Sequence, residues 1–257
     1  MEEYKIGFIG GGRITRIILH AFRNRSVGFE SIKVFEPDSD TSARLKSQFP
    51  YAEICPSNIG PAKQEIVFLA VHPPMVMETL NQVKEVVSAD AIIISLAPKI
   101  TTGKIASVLA TKKIARLIPN ATSYINKGYN PVSFIETFPE KERKPVLKLI
   151  RNLGKTIEVQ EEKLEAYAIV SAMLPTYFWF QWKKMEDIAL KTGLKPIESR
   201  KIIRSTLSRA IKLYYNSGLS YEEVIDLIPV KPIGENEDEI ETILDTRLTG
   251  LYEKIKP

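Results

Sequence analysis

Cysteine and histidine are nearly absent: 257 residues carry one cysteine, Cys55, and two histidines. One thiol forbids an intrachain disulfide, and so few ligands leave no basis for a zinc cluster, so no metal is expected. The expected home is a reducing cytoplasm. Long apolar runs are also missing. The longest candidates, such as Ala91–Ala97, are strand-sized and fall well short of the ~18 residues that span a bilayer. The opening MEEYKIGFIGGG begins with acidic residues and runs straight into a strand pattern, so it does not read as a signal peptide. There is no internal repeat or low-complexity tract. What remains, 44% apolar and 26% charged, is the balance of a soluble globular chain and excludes a disordered or fibrous one. The length suits one large domain or two moderate ones.

A formal charge of +5 raises the question of nucleic acid. Through Gln160 there are 22 Lys and Arg against 15 Asp and Glu; beyond it there are 14 against 16. The basic excess is therefore confined to the first part. It never forms a run of five or six like charges, and aromatics do not interleave with it as on a nucleic-acid face. Scattered solvated lysines, with a site for anionic phosphates, account for it better. Neither a nucleic-acid nor a membrane partner is expected.

Strand and helix patterns alternate along the first 160 residues. Lys5–Ile9, Ile32–Phe35, Ile66–Val71, Ala91–Leu96, Ile114–Ile118 and Thr156–Val159 read as strands. Between them, Ile14, Ile17, Ile18, Ala21 and Phe22 mark a helix over Arg13–Arg25, and Val76, Leu80, Val83 and Val87 mark another. Ser39–Gln48 reads as a helix capped by Asp38 or Ser39. The near-continuous apolar strands predict a parallel sheet covered on both faces. Past Gln160 the strand signals stop. Ile203, Leu207, Ala210, Ile211 and Tyr214 share one helical face, and Ile240, Ile243, Leu244, Leu248, Leu251 and Ile255 share another. Glu235–Glu241 fits a helix's first turn, where the macrodipole favours carboxylates. The expected organisation is α/β: a Rossmann dinucleotide-binding domain over residues 1–160, then an all-helical domain over 161–257.

The chemistry-bearing signal is Gly10-Gly11-Gly12-Arg13-Ile14-Thr15, placed between the first strand and the first helix. Gly10 suits the tight turn and Gly12 lets a pyrophosphate approach the backbone; Thr15 replaces the usual third glycine or alanine. The phosphates would sit on the free N–H groups of the helix that Arg13 and Ile14 open. A glycine turn without a ligand is the alternative. Glu36 ends the second strand, 24 residues after Gly12, where a carboxylate can accept hydrogen bonds from a ribose diol and repel a 2′-phosphate. That leans toward NAD over NADP, although Arg13 and Arg44 could offset the charge; a solvated turn at Glu36-Pro37-Asp38 is the plainer reading.

Five segments in register resemble the pyrroline-5-carboxylate reductase family: Gly7–Gly12, Asn58, Val67–Pro73, Ser95-Leu96-Ala97 and Arg116–Ala121. The resemblance implies that Asn58 touches the cofactor's ribose side and that Ala70, Val71 and Pro73 line the dinucleotide. It puts Ala97 and Asn120 near the nicotinamide. His72 stands where the family usually has lysine and reads as a rim residue. The resemblance also implies a homodimer or higher homo-oligomer with interlocked helical domains, and hydride transfer to a small cyclic imine, first pyrroline-5-carboxylate, in proline biosynthesis.

The helical part departs from that family. Its small-residue SGSGPA loop is here Ser171-Ala172-Met173-Leu174-Pro175-Thr176, and its SPGGTT loop falls on Ile228–Glu235, which has no threonine and two prolines. Pro98 and Lys99 replace small residues after Ala97. Ser171 and Thr176 are the candidate catalytic hydroxyls; no histidine lies near either in sequence, which gives a nucleophilic hydrolase little support. The aromatic run Tyr177–Trp182 reads as core or dimer packing. Two other readings stay open: a dinucleotide-binding regulator with a rebuilt pocket, and a reductase using a deazaflavin, which explains the helical tail less well.

Overall fold

Eight strands form one sheet in the order β3-β2-β1-β4-β5-β6-β7-β8. They are seen in a computed structural model that describes residues 3–257. The first part of the chain runs β1 (Tyr4–Ile9), α1 (Arg13–Asn24), β2 (Phe29–Phe35), α2 (Ser39–Gln48), β3 (Glu53–Ile54), α3 (Ile59–Ala62) and β4 (Ile66–Leu69). It continues through α4 (Pro73–Val83), β5 (Ile92–Ser95), α5 (Thr102–Ala106), β6 (Lys113–Leu117), β7 (Gly128–Phe134), α6 (Glu140–Ile150), β8 (Gly154–Glu158) and α7 (Leu164–Tyr167). After α7, Ala168–Ala172 form one π-helical turn.

Alternation along each strand sends neighbours to opposite faces. Phe8, Phe68, Ile94 and Ala115 join the core beneath α1 and α6, with Ile18, Phe22 and Leu149. Ile9, Val67, Leu69, Ile93 and Ile114 join the core beneath α4 and α5, with Val76, Leu80 and Ile105. Both faces are buried, which is why these strands read as unbroken apolar runs. The sheet departs from the expected all-parallel pattern at one place. β7 pairs antiparallel with β6 and parallel with β8. β7 was not expected at all, because Pro131 sits inside it and a proline in a run argues against a central strand.

The chain divides into two compact units, Met1–Ala172 with Leu251–Pro257, and Met173–Gly250. The second unit holds α8 (Leu174–Lys191), α9 (Pro196–Asn216), α10 (Tyr221–Asp226) and the larger part of α11 (Glu237–Ile255). A capping box starts α10: Ser220 Oγ accepts from the Glu223 amide at 3.2 Å while Glu223 Oε2 accepts from the Ser220 amide at 2.8 Å. The α8–α9 turn uses Gly193 at φ +95°, a conformation costly for any residue with a Cβ. This unit has almost no core of its own. Of residues 173–250 only Ser199 is buried, and Phe180 is 67% and Ile211 56% exposed. Among the described residues no helix is long and apolar enough to cross a membrane.

Candidate dinucleotide site

A cleft of about 890 Å³ opens at the carboxyl ends of β1, β2, β4 and β5, within the first unit. Ligands of open α/β sheets bind at this edge. Gly10 makes the turn off β1 at φ +105°, and a Cβ there would lie 2.5 Å from the Ala70 carbonyl oxygen. The turn is pinned from three directions. The Gly10 amide donates to Phe35 O at 2.9 Å. Thr15 Oγ1 donates to Gly10 O at 2.6 Å, and the Gly11 amide donates to Glu36 Oε2 at 2.8 Å. Thr15 thus supplies a hydrogen bond at the position where the fingerprint has a small residue.

Gly12 is the N-cap of α1, with an ordinary φ of −67° and no side-chain cap bond. A Cβ at Gly12 would meet nothing within 4 Å, and the first turn of α1 has no acidic residue. Uncapped amides, the positive end of the helix dipole and open space above Gly12 fit an anionic pyrophosphate.

On one side of this turn the cleft is walled by Arg13, Ile14, Glu36, Thr41 and Arg44. Glu36 is fixed at both oxygens, since Oε1 also accepts from the Asp38 amide at 3.1 Å. Asp38, not Ser39, caps α2, accepting from the Thr41 amide at 2.8 Å. Hydrogen bonding with Thr41 holds its carboxyl below the usual aspartate range. On the other side Asn58, Ala70, Val71, His72, Pro73 and Ala97 contribute. Asn58 Nδ2 donates to Gln82 Oε1 at 2.6 Å, and exposed His72 is the N-cap of α4.

Three anticipated residues lie elsewhere. Asn120 is buried and does not line the cleft. Its Nδ2 donates to Ser171 O at 2.8 Å, and its Oδ1 accepts from the Thr122 amide at 2.8 Å. Ser171 Oγ donates to Tyr129 O at 3.3 Å. Thr176, exposed on α8, donates its hydroxyl to Met173 O at 2.7 Å. Both candidate catalytic hydroxyls therefore have their protons directed at backbone carbonyls.

Sequence reasoning missed a buried ion network that shapes the cleft's rim at Ala97 and Pro98. Arg116 on β6 is fully buried; Nη2 pairs with Glu165 and Nη1 with Glu161 Oε1 at 3.1 Å. Glu165 Oε1 also accepts from the Lys99 amide at 2.9 Å, holding Lys99 at φ +72°. Glu161 takes the Thr102 amide at 2.7 Å and its hydroxyl at 2.8 Å. The segment from Ala97 to Thr102 is thus tethered to two carboxylates. Left-handed backbone at a non-glycine residue persists only where its surroundings over-determine it. The available signal was an arginine in an apolar strand and carboxylates four residues apart on a later helical stretch.

This fold and cleft are those of a Rossmann-type dinucleotide-binding protein. A family model described as NADP oxidoreductase, coenzyme F420-dependent, matches residues 5–99. Over the wider chain the similarity is to pyrroline-5-carboxylate reductases. That of Haemophilus influenzae is 26% identical over 218 residues, covering 83% of this chain and 79% of the relative. That of Escherichia coli K12 is 25% identical over 218 residues, covering 84% and 81%. The NADP-bound pyrroline carboxylate reductase of Plasmodium falciparum superposes with a TM-score of 0.82 at 20% identity, covering 100% of this chain and 98% of that one. Over most of its length the chain is thus similar to pyrroline-5-carboxylate reductases, and it shares their fold.

Proposed function

We propose that this chain reduces a small cyclic imine, pyrroline-5-carboxylate first, using a reduced nicotinamide dinucleotide. The observation that carries the reading is the open, uncapped start of α1 beneath Gly12, inside a cleft that gathers eleven of the twelve candidate cofactor residues. Reduced nicotinamide, when bound, supplies a hydride to the C=N carbon. The protein's part is placement. Gly10 and Gly12 let the backbone approach, the α1 amides take the phosphates, and the tethered Ala97–Thr102 segment gives that rim a fixed shape. An imine that enters already protonated, as the iminium, gives the amine on hydride addition with no side-chain proton donor, a route compatible with Ser171 and Thr176 hydroxyls that donate to carbonyls.

The fixed Glu36 carboxylate favours NAD over NADP, opposed by Arg13 and Arg44 on the same wall. The second unit serves as a homodimerisation element, since its exposed Phe180, Ile197, Ile211 and Tyr215 need a partner surface. A biosynthetic role in the cytoplasm, in proline formation, follows from the substrate and suits a single buried thiol.

A second reading is motivated by the exposed Ile228–Ile233 segment, where Pro229 and Pro232 remove amide donors. On it, the chain binds dinucleotide without reducing this imine. One experiment separates them: turnover of pyrroline-5-carboxylate with NADH or NADPH, beside a binding titration of each. Turnover supports the reductase, tight binding alone supports the second reading, and neither overturns both.

A further inference from the structure

Helix α1 has a charged edge that the dinucleotide cleft does not exhaust. Arg13, Arg16, His20 and Arg23 follow at steps of three and four residues and so share one face. With Gln48, Phe49 and Tyr124 they line a separate recess of about 380 Å³ in the first unit. No acidic side chain lines it, and none of its three arginines forms an ion pair among the described residues. Arg16 Nε is buried without a hydrogen-bond partner. Arg23 Nη1 donates to Gln48 O at 3.1 Å and lies 5.2 Å from the Phe49 ring centroid. His20 stacks on Tyr124 with centroids 3.7 Å apart and donates from Nδ1 to Tyr124 O at 3.2 Å.

Three unpaired guanidinium groups around one concavity raise the local positive potential, and a buried orphan donor calls for an acceptor. Planar guanidinium forks match phosphate oxygens in pairs. We infer that this recess binds a phosphate-bearing small molecule at a site distinct from the dinucleotide cleft. Arg16 and Arg23 hold the anion, and the Tyr124 ring with His20 behind it forms a flat wall.

Arg13 and Arg16 line both spaces, so the rival source of the anion is the dinucleotide's own phosphates; Arg23, His20 and Tyr124 line the recess alone. The test is calorimetric titration of inorganic pyrophosphate, with and without saturating NADH. The expected result is one site per chain that survives saturating NADH, beside a second at the start of α1 that NADH displaces. At saturating NADH, Arg23→Gln should weaken pyrophosphate at least tenfold, while NADH affinity stays unchanged and Tm moves by no more than about 2 °C. Arg44→Gln, on the cleft wall only, should leave pyrophosphate binding intact. With NADH saturating, loss of all pyrophosphate binding in the wild type or in Arg44→Gln, indifference of the remaining site to Arg23→Gln, or no binding at millimolar concentration each overturns the inference. Absence of NADH binding would overturn the cofactor reading alone, because the titration without NADH still reports on the recess.

Discussion

The Glu36 carboxylate accepts the Gly11 amide at 2.8 Å, so the residue placed to sense the ribose also clamps the glycine turn. A Cβ on Gly11 would come 2.8 Å from Glu36 Cβ, which shows how closely the two are fitted. Charge and acceptor geometry at this position are therefore separable by mutation.

Glu36→Gln keeps an acceptor for the Gly11 amide, gives up the one for the exposed Asp38 amide, and removes the negative charge. A like-charge contact near a surface is worth on the order of a few kcal/mol before screening, and salt with Arg13 and Arg44 reduces it. The ratio of NADPH to NADH affinity should rise about tenfold, read from paired fluorescence titrations. Glu36→Ala removes the clamp as well and should weaken both cofactors. Unchanged ratios in both variants would place Glu36 away from the ribose.

Gly12→Val tests the phosphate cradle with little cost to the fold. The added side chain meets no protein atom within 4 Å, and φ is −67°, so Tm should move by less than about 2 °C. The same side chain fills the space where the pyrophosphate crosses the start of α1. NADH binding should fall below detection. Normal titration by the valine variant would refute the fingerprint.

How far the sequence alone reached depended on whether the governing contacts were local. The glycine turn and the α1 face follow from spacing within one strand–turn–helix and were legible, and Glu36, just after β2, lines the same cleft. β3 is two residues long, too short for a periodic signal, and β7 was hidden by Pro131. The Arg116 network escaped because Glu161 and Glu165 are 45 and 49 residues away in sequence, and no periodicity links a strand residue to such partners. Asn120 is the intermediate case. Its motif was visible, but its hydrogen bonds to Ser171 and Thr122 exist only once the chain is folded.

Cys55 should be inert in the native protein. It is buried, and burial with the nearby Glu53 carboxylate pushes its thiol above the usual range. Since the thiolate is the nucleophile, a raised pKa leaves little of it at neutral pH. Reaction with a chromogenic disulfide reagent at pH 7.5 should be negligible until denaturant is added, then proceed to one thiol per chain. Rapid stoichiometric labelling of the folded protein would contradict this.

The helical unit should associate. A unit whose residues are buried at Ser199 alone has no core to stabilise it singly, and the aromatic faces of α8 and apolar positions of α9 supply what a partner copy would cover. Sedimentation at micromolar concentration should give at least a dimer. The double variant Phe180→Asp with Ile211→Asp should sediment as a monomer, and a monomeric wild type would refute the assignment.

Arg116 and Glu165 give the strongest stability prediction, because both are essentially fully buried. Removing one partner of a buried pair leaves an uncompensated charge and costs about 3–5 kcal/mol. Arg116→Met fills similar volume yet strands the Glu165 carboxylate, whose Oε2 already has no hydrogen-bond partner. Tm should fall by roughly 10 °C in a chain of this size. Glu161 is part-exposed at its side chain, so Glu161→Gln should cost markedly less. Pairing Arg116→Met with Glu165→Leu should recover much of the loss, since an apolar pair of matched volume can replace a buried ion pair. The restored variant would still lack the acceptor for the Lys99 amide, and with it the restraint on Ala97 and Pro98 at the cleft. Calorimetry should therefore show recovered Tm while KM for the dinucleotide stays elevated. Recovery of both would mean that the network serves stability alone.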